Sequence, residues 1–110
     1  TLASGRRGLQ ELLDTGKEFD VVVCSSDLLA QGVMTEAIRR GLDVPARLAV
    51  MGFGDFEFSE HLFPALSTVH VDKRKLGELA ASALLARIEG RPSAASVVDV
   101  GFTLIERATT

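Results

Sequence analysis

Apolar residues recur along this chain at two different periods, and the changes of period predict its elements. Between Ser4 and Gly16, Leu9, Leu12 and Leu13 fall at helical spacing, and Gly16 supplies the left-handed residue that ends a short helix. Phe19 to Cys24 is a continuous, valine-rich run, the pattern of a strand buried on both faces. Ser26 or Asp27 then caps a second helix. Its apolar positions are Leu29, Ala30, Val33, Met34, Ala37 and Ile38, and Gly41 closes it. Leu48 to Met51 reads as another buried strand, so a strand, a helix and a strand follow one another as a parallel unit with a helical crossover.

Asp55 to Phe63 is aromatic and acidic without a clean period; it predicts one turn of helix and a loop ended by Pro64. Ser67 to Val71 reads as a short strand. Asp72 caps a third helix with Leu76, Leu79, Ala80, Ala83, Leu84 and Ile88 on one face, stopped by Gly90 and Pro92. Val97 to Arg107 reads as extended, with Val98, Val100, Phe102 and Leu104 alternating against less apolar neighbours. The expected fold class is α/β with a mostly parallel sheet. Ligands of such sheets sit beyond the carboxyl ends of the strands. Two polar segments fall there, Ser25-Ser26-Asp27 and Gly52-Phe53-Gly54-Asp55.

Composition narrows the function classes. With 110 residues, 46% hydrophobic and 25% charged, the chain is ordinary globular material for one domain or part of one. A net charge of −3 argues against a nucleic-acid surface, and the densest basic cluster, Lys73-Arg74-Lys75, is only three long. Cys24 is the single cysteine, so no internal disulfide forms; its apolar surroundings suit a small core residue, and its use fits a reducing compartment. No stretch has the apolar length of a membrane helix, and no signal-peptide pattern is present. A first residue other than Met, at the lead-in to a helix, suggests a piece of a longer protein.

The candidate chemistry is that of binding. Ser26 and Asp27 offer a hydroxyl and a carboxylate at a helix amino end, as a plain cap, as ligand contacts, or as both. Gly52 and Gly54 let backbone approach a bound molecule, or make a tight turn. The Gly-x-Gly lacks the third glycine of a dinucleotide site. His61 and His70 stand without a metal-ligand pattern, so neither metal nor cofactor is expected. Asp55, Glu57 and Glu60 share a loop with no nucleophile, which disfavours catalysis. Four of the six phenylalanines, Phe53, Phe56, Phe58 and Phe63, lie within eleven residues, as a satellite core or as a protein–protein contact.

In order along the chain come Val21-Val22-Val23-Cys24, Ser25-Ser26-Asp27, Ala30-Gln31-Gly32, Gly41-Leu42-Asp43-Val44-Pro45 and Gly52-Phe53-Gly54-Asp55. Pro64-Ala65-Leu66-Ser67-Thr68-Val69, Leu76-Gly77 and the closing Leu104 to Arg107 follow. This series resembles the effector domains of lactose-repressor family transcriptional regulators, from about Gly5 to Arg107. Gly-Phe-Gly-Asp-Phe-Glu-Phe with Val71-Asp72-Lys73 downstream looks most like the gluconate-utilisation repressors of that family.

The resemblance implies a periplasmic-binding-protein-like fold, of which this is the carboxyl-terminal portion. Residues 1–71 would be the core of the second subdomain. Residues 72–100 would be a helix and strand that pack on a first subdomain outside the chain, and 101–110 a return strand and tail. It also implies a small effector, a sugar or sugar acid, bound allosterically. Ser26, Asp27, Phe53, Gly54, Asp55 and Lys73 would be its contacts. Gln31, Met34, Thr35, Ile38, Phe56 and Phe58 would form a homodimer interface. Operator DNA would be reached only through an amino-terminal domain outside this chain, in the cytoplasm, with no membrane partner. The family's usual Asn falls on Ser26, a usual Asp on Gly54, and the cleft position after Pro-x-Leu-Thr-Thr on Lys73. Losing a carboxylate and gaining a cation favours an anionic sugar acid over a neutral sugar. A solute-binding protein of the same fold is the alternative. A doubly wound enzyme would need a nucleophile, phosphate loop or metal set, and a receiver domain would need an acidic cluster after its first strand. The apolar stripe of the third helix is expected to be covered by another surface, because large side chains left in water each forgo about 1.5–3 kcal/mol.

Overall fold

The structure, a computed structural model, describes residues 1–91 and 97–110. Its elements follow in the order α1 (Leu2–Asp14), β1 (Val21–Val23), α2 (Asp27–Arg39), β2 (Ala49–Phe53), a one-turn 3₁₀ helix (Glu57–Glu60), β3 (Ser67–His70), α3 (Lys73–Ile88) and β4 (Thr103–Ile105). Hydroxyl and carboxylate caps start the α-helices, those of α2 and α3 where the sequence leads one to expect, while α1 begins at Leu2, before the Ser4 expected. Thr1 accepts from the Ser4 N–H at 3.1 Å, Ser26 from Leu29 at 3.3 Å, and Asp72 from Lys75 at 2.9 Å. Of the two candidate caps of α2, Ser26 is the one used. The role expected of Pro92 lies outside the described residues.

The chain forms two compact units, Thr1–His70 with Leu104–Thr110, and Val71–Thr103. In the first, the strand order is β1-β2-β3-β4, and the first three strands run parallel. Val21, Val22 and Val23 align with Ala49, Val50 and Met51, while Met51, Gly52 and Phe53 align with Ser67, Thr68 and Val69. Side chains alternate between the faces of a strand, so Val50 and Gly52 point to one side and Met51 and Phe53 to the other. The core is Leu9, Cys24, Ala30, Val33, Met34, Ala37, Leu48, Val50 and Leu66. Residues 108 and 109 slot between the starts of β2 and β3. Ala108 donates to the Ala65 carbonyl, Val50 donates to the Thr109 carbonyl, and the buried Thr109 hydroxyl donates to the Val50 carbonyl at 2.7 Å and accepts from the Ser67 N–H at 2.9 Å.

The backbones of α1 and α2 touch. A Cβ on Gly5 would run into the Leu29 carbonyl, and one on Gly32 into the Leu2 carbonyl. Only residues without a side chain permit this approach. The same pair of helices is joined by buried Glu36, which accepts from Gln10, Arg6, Arg39 and Arg40 at 3.0–3.2 Å. Hydrogen bonds from Gln10 and Arg40 pull its carboxyl down; burial opposes them, but Arg6 and the charge of Arg39 add to the fall, leaving it at about 2.

Two expectations about strands need correction. The run Phe19 to Cys24 is not a strand buried on both faces. Only Val21–Val23 is strand, it lies at the sheet edge, and Val21 and Val23 are 52% and 68% exposed. Valine runs report β propensity and total apolarity, and an edge strand can have both while one face stays open. Likewise, of Val97 to Arg107 only Thr103–Ile105 is strand; Val97, Val98, Phe102 and Leu104 are exposed. In the second unit, α3 has no buried residue; Leu76, Leu79, Leu84 and Ile88 are all exposed.

Candidate functional site

The carboxyl ends of β1 and β2 bring the two polar segments together around one buried carboxylate. Asp27, in the first turn of α2, is fully buried. Its Oδ2 accepts from the Phe56 N–H at 2.7 Å and from the Ser59 hydroxyl at 2.7 Å, and its Oδ1 accepts from the Thr68 hydroxyl at 2.5 Å. A Cβ on Gly52 would run into the same carboxylate. Asp27, expected as an effector contact, instead faces inward. A buried carboxylate needs such donors, and here three parts of the chain supply them.

Phe53 closes β2 and is 44% exposed. Gly54 has φ +121°, a conformation that side-chain-bearing residues rarely adopt, and its N–H donates to the Val69 carbonyl at 2.8 Å. Asp55 follows at φ +47°. Its Oδ1 accepts from Arg107 Nη2 at 2.9 Å, and its Oδ2 lies 3.0 Å from His70 Nδ1. Burial alone would raise the Asp55 carboxyl, but the bonds from Arg107 and His70, with the charge of Arg107, outweigh it and hold the carboxyl below the usual range. Asp55 is therefore ionised at neutral pH, and His70 is the donor in their bond. Arg107 Nη1 reaches the Leu66 carbonyl at 2.8 Å, and its N–H donates to the Ser67 hydroxyl at 2.8 Å.

Ser26 is half-buried, its hydroxyl engaged as the α2 cap. Cys24, just before it, is buried, and burial pushes its thiol up to about 11, which leaves it protonated and unreactive at neutral pH. Lys73 opens α3 in the second unit and is exposed. Of the residues expected at an interface, Gln31 and Thr35 are half-buried and Ile38 is 60% exposed; all three lie on one stripe of α2. Met34 is the correction. It is 3% exposed and part of the core, because its side of α2 packs toward the sheet. Phe56 is 41% exposed and Phe58 half-buried, with ring centroids 5.8 Å apart.

Arg107, His70, Ser59 and Thr68 were not singled out as site residues. Arg107 had a signal, its place in the closing Leu-Ile-Glu-Arg. Thr68 had one too, its place in Pro64 to Val69; His70 and Ser59 had none, since their partners lie 15 and 32 positions away. A groove of about 320 Å³ lies beside the return segment, lined by Met51, Ser67, Leu104, Ile105, Glu106 and Thr110; none of these is an expected contact. Among the described residues no group of three His, Cys, Asp or Glu is placed to hold a metal, and no helix is long and apolar enough to cross a membrane.

Residues 5–110 match the periplasmic binding protein-like domain. The chain is 38% identical over its whole length to the HTH-type transcriptional regulator GntR of Pseudomonas aeruginosa, of which it covers 32%. Among solved structures, the transcription regulator GntR from Chromobacterium violaceum superposes with a TM-score of 0.84 at 34% identity, over 99% of this chain and 40% of that one. A transcriptional regulator CelR–cellobiose complex does so with a TM-score of 0.91 at 28% identity, over 100% of this chain and 34% of that one. The chain thus spans about a third of the length of the curated relative, and these relatives are transcription regulators, not enzymes. With residues 5–110 matched and the α/β fold in common, the chain belongs to the periplasmic binding protein-like domain family, in the form carried by lactose-repressor-type transcriptional regulators.

Proposed function

We propose that the parent protein is a cytoplasmic repressor in which this chain forms the effector-sensing and dimerising part, and that its effector is a sugar acid such as gluconate. Residues 1–71 belong to the second effector subdomain, 72–100 pack on a first subdomain supplied from outside these residues, and 101–110 return. DNA contact belongs to a segment outside them. The observation that carries the effector class is the fate of the acidic groups at the strand ends. Asp27 is turned inward, Asp55 is tied to Arg107 and His70, and Gly54 stands where the family usually has a carboxylate. The strand-end positions Ser26, Phe53 and Gly54 thus add no outward-facing negative charge of their own, which suits an anion. The motif order assigns Lys73 as the carboxylate anchor. The cellobiose complex of a relative supports the sugar-like scaffold.

Calorimetry on the full-length parent tests this reading. Gluconate should bind more tightly than glucose. Lys73→Met should weaken gluconate about tenfold or more, since a charge-assisted hydrogen bond is worth roughly 1.5–3 kcal/mol. Equal affinity for acid and neutral sugar would overturn the assignment.

A further inference from the structure

The chain leaves the first unit after His70 and returns at Leu104. One carboxylate holds both places. Asp55 bonds to His70, the last residue before departure, and to Arg107, three residues after the return. Arg107 in turn holds the Leu66 carbonyl and the Ser67 hydroxyl, so the departing strand and the returning segment are cross-tied at both ends of β3. The third strand of the knot is the Phe53–Asp55 loop itself, where Gly54 and Asp55 both hold positive φ and Asp55 N–H contacts the Thr68 hydroxyl at 3.4 Å. The sequence reading placed Asp55 among the effector contacts; its geometry points elsewhere.

We propose that Asp55 is a positioning residue that acts from behind the candidate effector loop, locking that loop to the two points where the chain crosses out of and back into the first unit. Arg107 is its fixed partner and His70 its exposed one. Through this tie a change in the loop is felt at both crossings, which is what an effector signal requires. This deepens the proposed function, because it rests on Phe53 and Gly54, and not Asp55, lining the effector cleft.

The test uses the full-length parent and its variants Asp55→Asn, Arg107→Met, Arg107→Lys, His70→Gln and the Asp55→Asn/Arg107→Met pair. Amide hydrogen exchange reads the tie without any effector. Asp55→Asn and Arg107→Met should each speed exchange about tenfold or more in 53–56, 68–71 and 104–108, and leave α1 and α2 unchanged. The pair should be no worse than either single change, and Arg107→Lys should recover part of the protection. Where Asp55→Asn does not fold, the milder His70→Gln should still speed exchange in 53–56 and 68–71. Uniform loosening of α1 and α2 along with the loop, additive effects in the pair, or no change in these three segments would overturn the proposal. A second arm titrates gluconate and follows release from operator DNA. Asp55→Asn should leave gluconate affinity within about threefold while shifting the release curve by about tenfold. A tenfold loss of affinity with unchanged exchange would make Asp55 a direct contact and overturn the proposal. If gluconate binds neither protein, the effector assignment fails, and the exchange result still decides the role of Asp55.

Discussion

Asp27 is the residue whose substitution should hurt the fold most per atom removed. Asp27→Ala strips the acceptor from the part-buried Phe56 N–H and from the buried hydroxyls of Ser59 and Thr68. An orphaned buried polar group costs about 1–3 kcal/mol, so the loss should be about 3 kcal/mol or more. Thermal unfolding should show a midpoint lower by about 10 °C or more; an unchanged midpoint would contradict this account. Asp27→Asn keeps one acceptor and should fall between. Glu36 has a different signature. Its folded value of about 2 lies below the ordinary 4.5, so the stability it adds is complete above about 4.5 and is lost as pH falls from there toward 2. Asp55, also lowered, slopes the same way. Glu36→Gln should flatten the fall of the unfolding midpoint across that acid range, measured by circular dichroism at stepped pH. The Ser26 cap was legible because capping is local. The orientation of Asp27 was not, because its acceptors are claimed by residues 29 to 41 positions away, a distance no periodicity records.

Among the elements, helix periodicity located the three α-helices of the described residues, since an amphipathic face repeats within each turn. It missed how closely α1 and α2 approach. Gly32 was noted only as part of a motif, and its meaning lies in the Leu2 carbonyl against it. Two glycines therefore make opposite predictions. Gly32→Ala should destabilise by about 1–3 kcal/mol or more, because backbone and not a movable side chain blocks the new Cβ. Gly8→Ala, on α1 with open space around it, should stabilise by about 0.5–1 kcal/mol through reduced backbone freedom. Urea unfolding of both variants decides; equal effects would mean that the helix contact is not tight. The burial expected of the first strand failed for a related reason. A run of valines carries no mark of which face another element covers, and position in the sheet settles that.

At the scale of the molecule, the order of strand, helix and strand sufficed for the α/β parallel architecture, because short crossovers leave few ways to assemble it. The dimer remains a proposal. Its surface is the α2 stripe Gln31, Thr35 and Ile38 with Phe56 and Phe58; Met34, being core, drops out. The full-length parent should sediment as a dimer, and Ile38→Glu, which sets a charge on a 60% exposed apolar position, should shift it toward monomer without lowering its unfolding temperature. A wild-type monomer at high micromolar concentration would rule out this surface.

The threonine pinned between β2 and β3 has a practical side. Thr109 is as buried as any leucine in the core and bonds to both strands. A cut or substitution that removed Thr109 would pull a peg from between two strands. Anyone labelling, immobilising or shortening this domain should treat Thr109 as interior and put the attachment elsewhere.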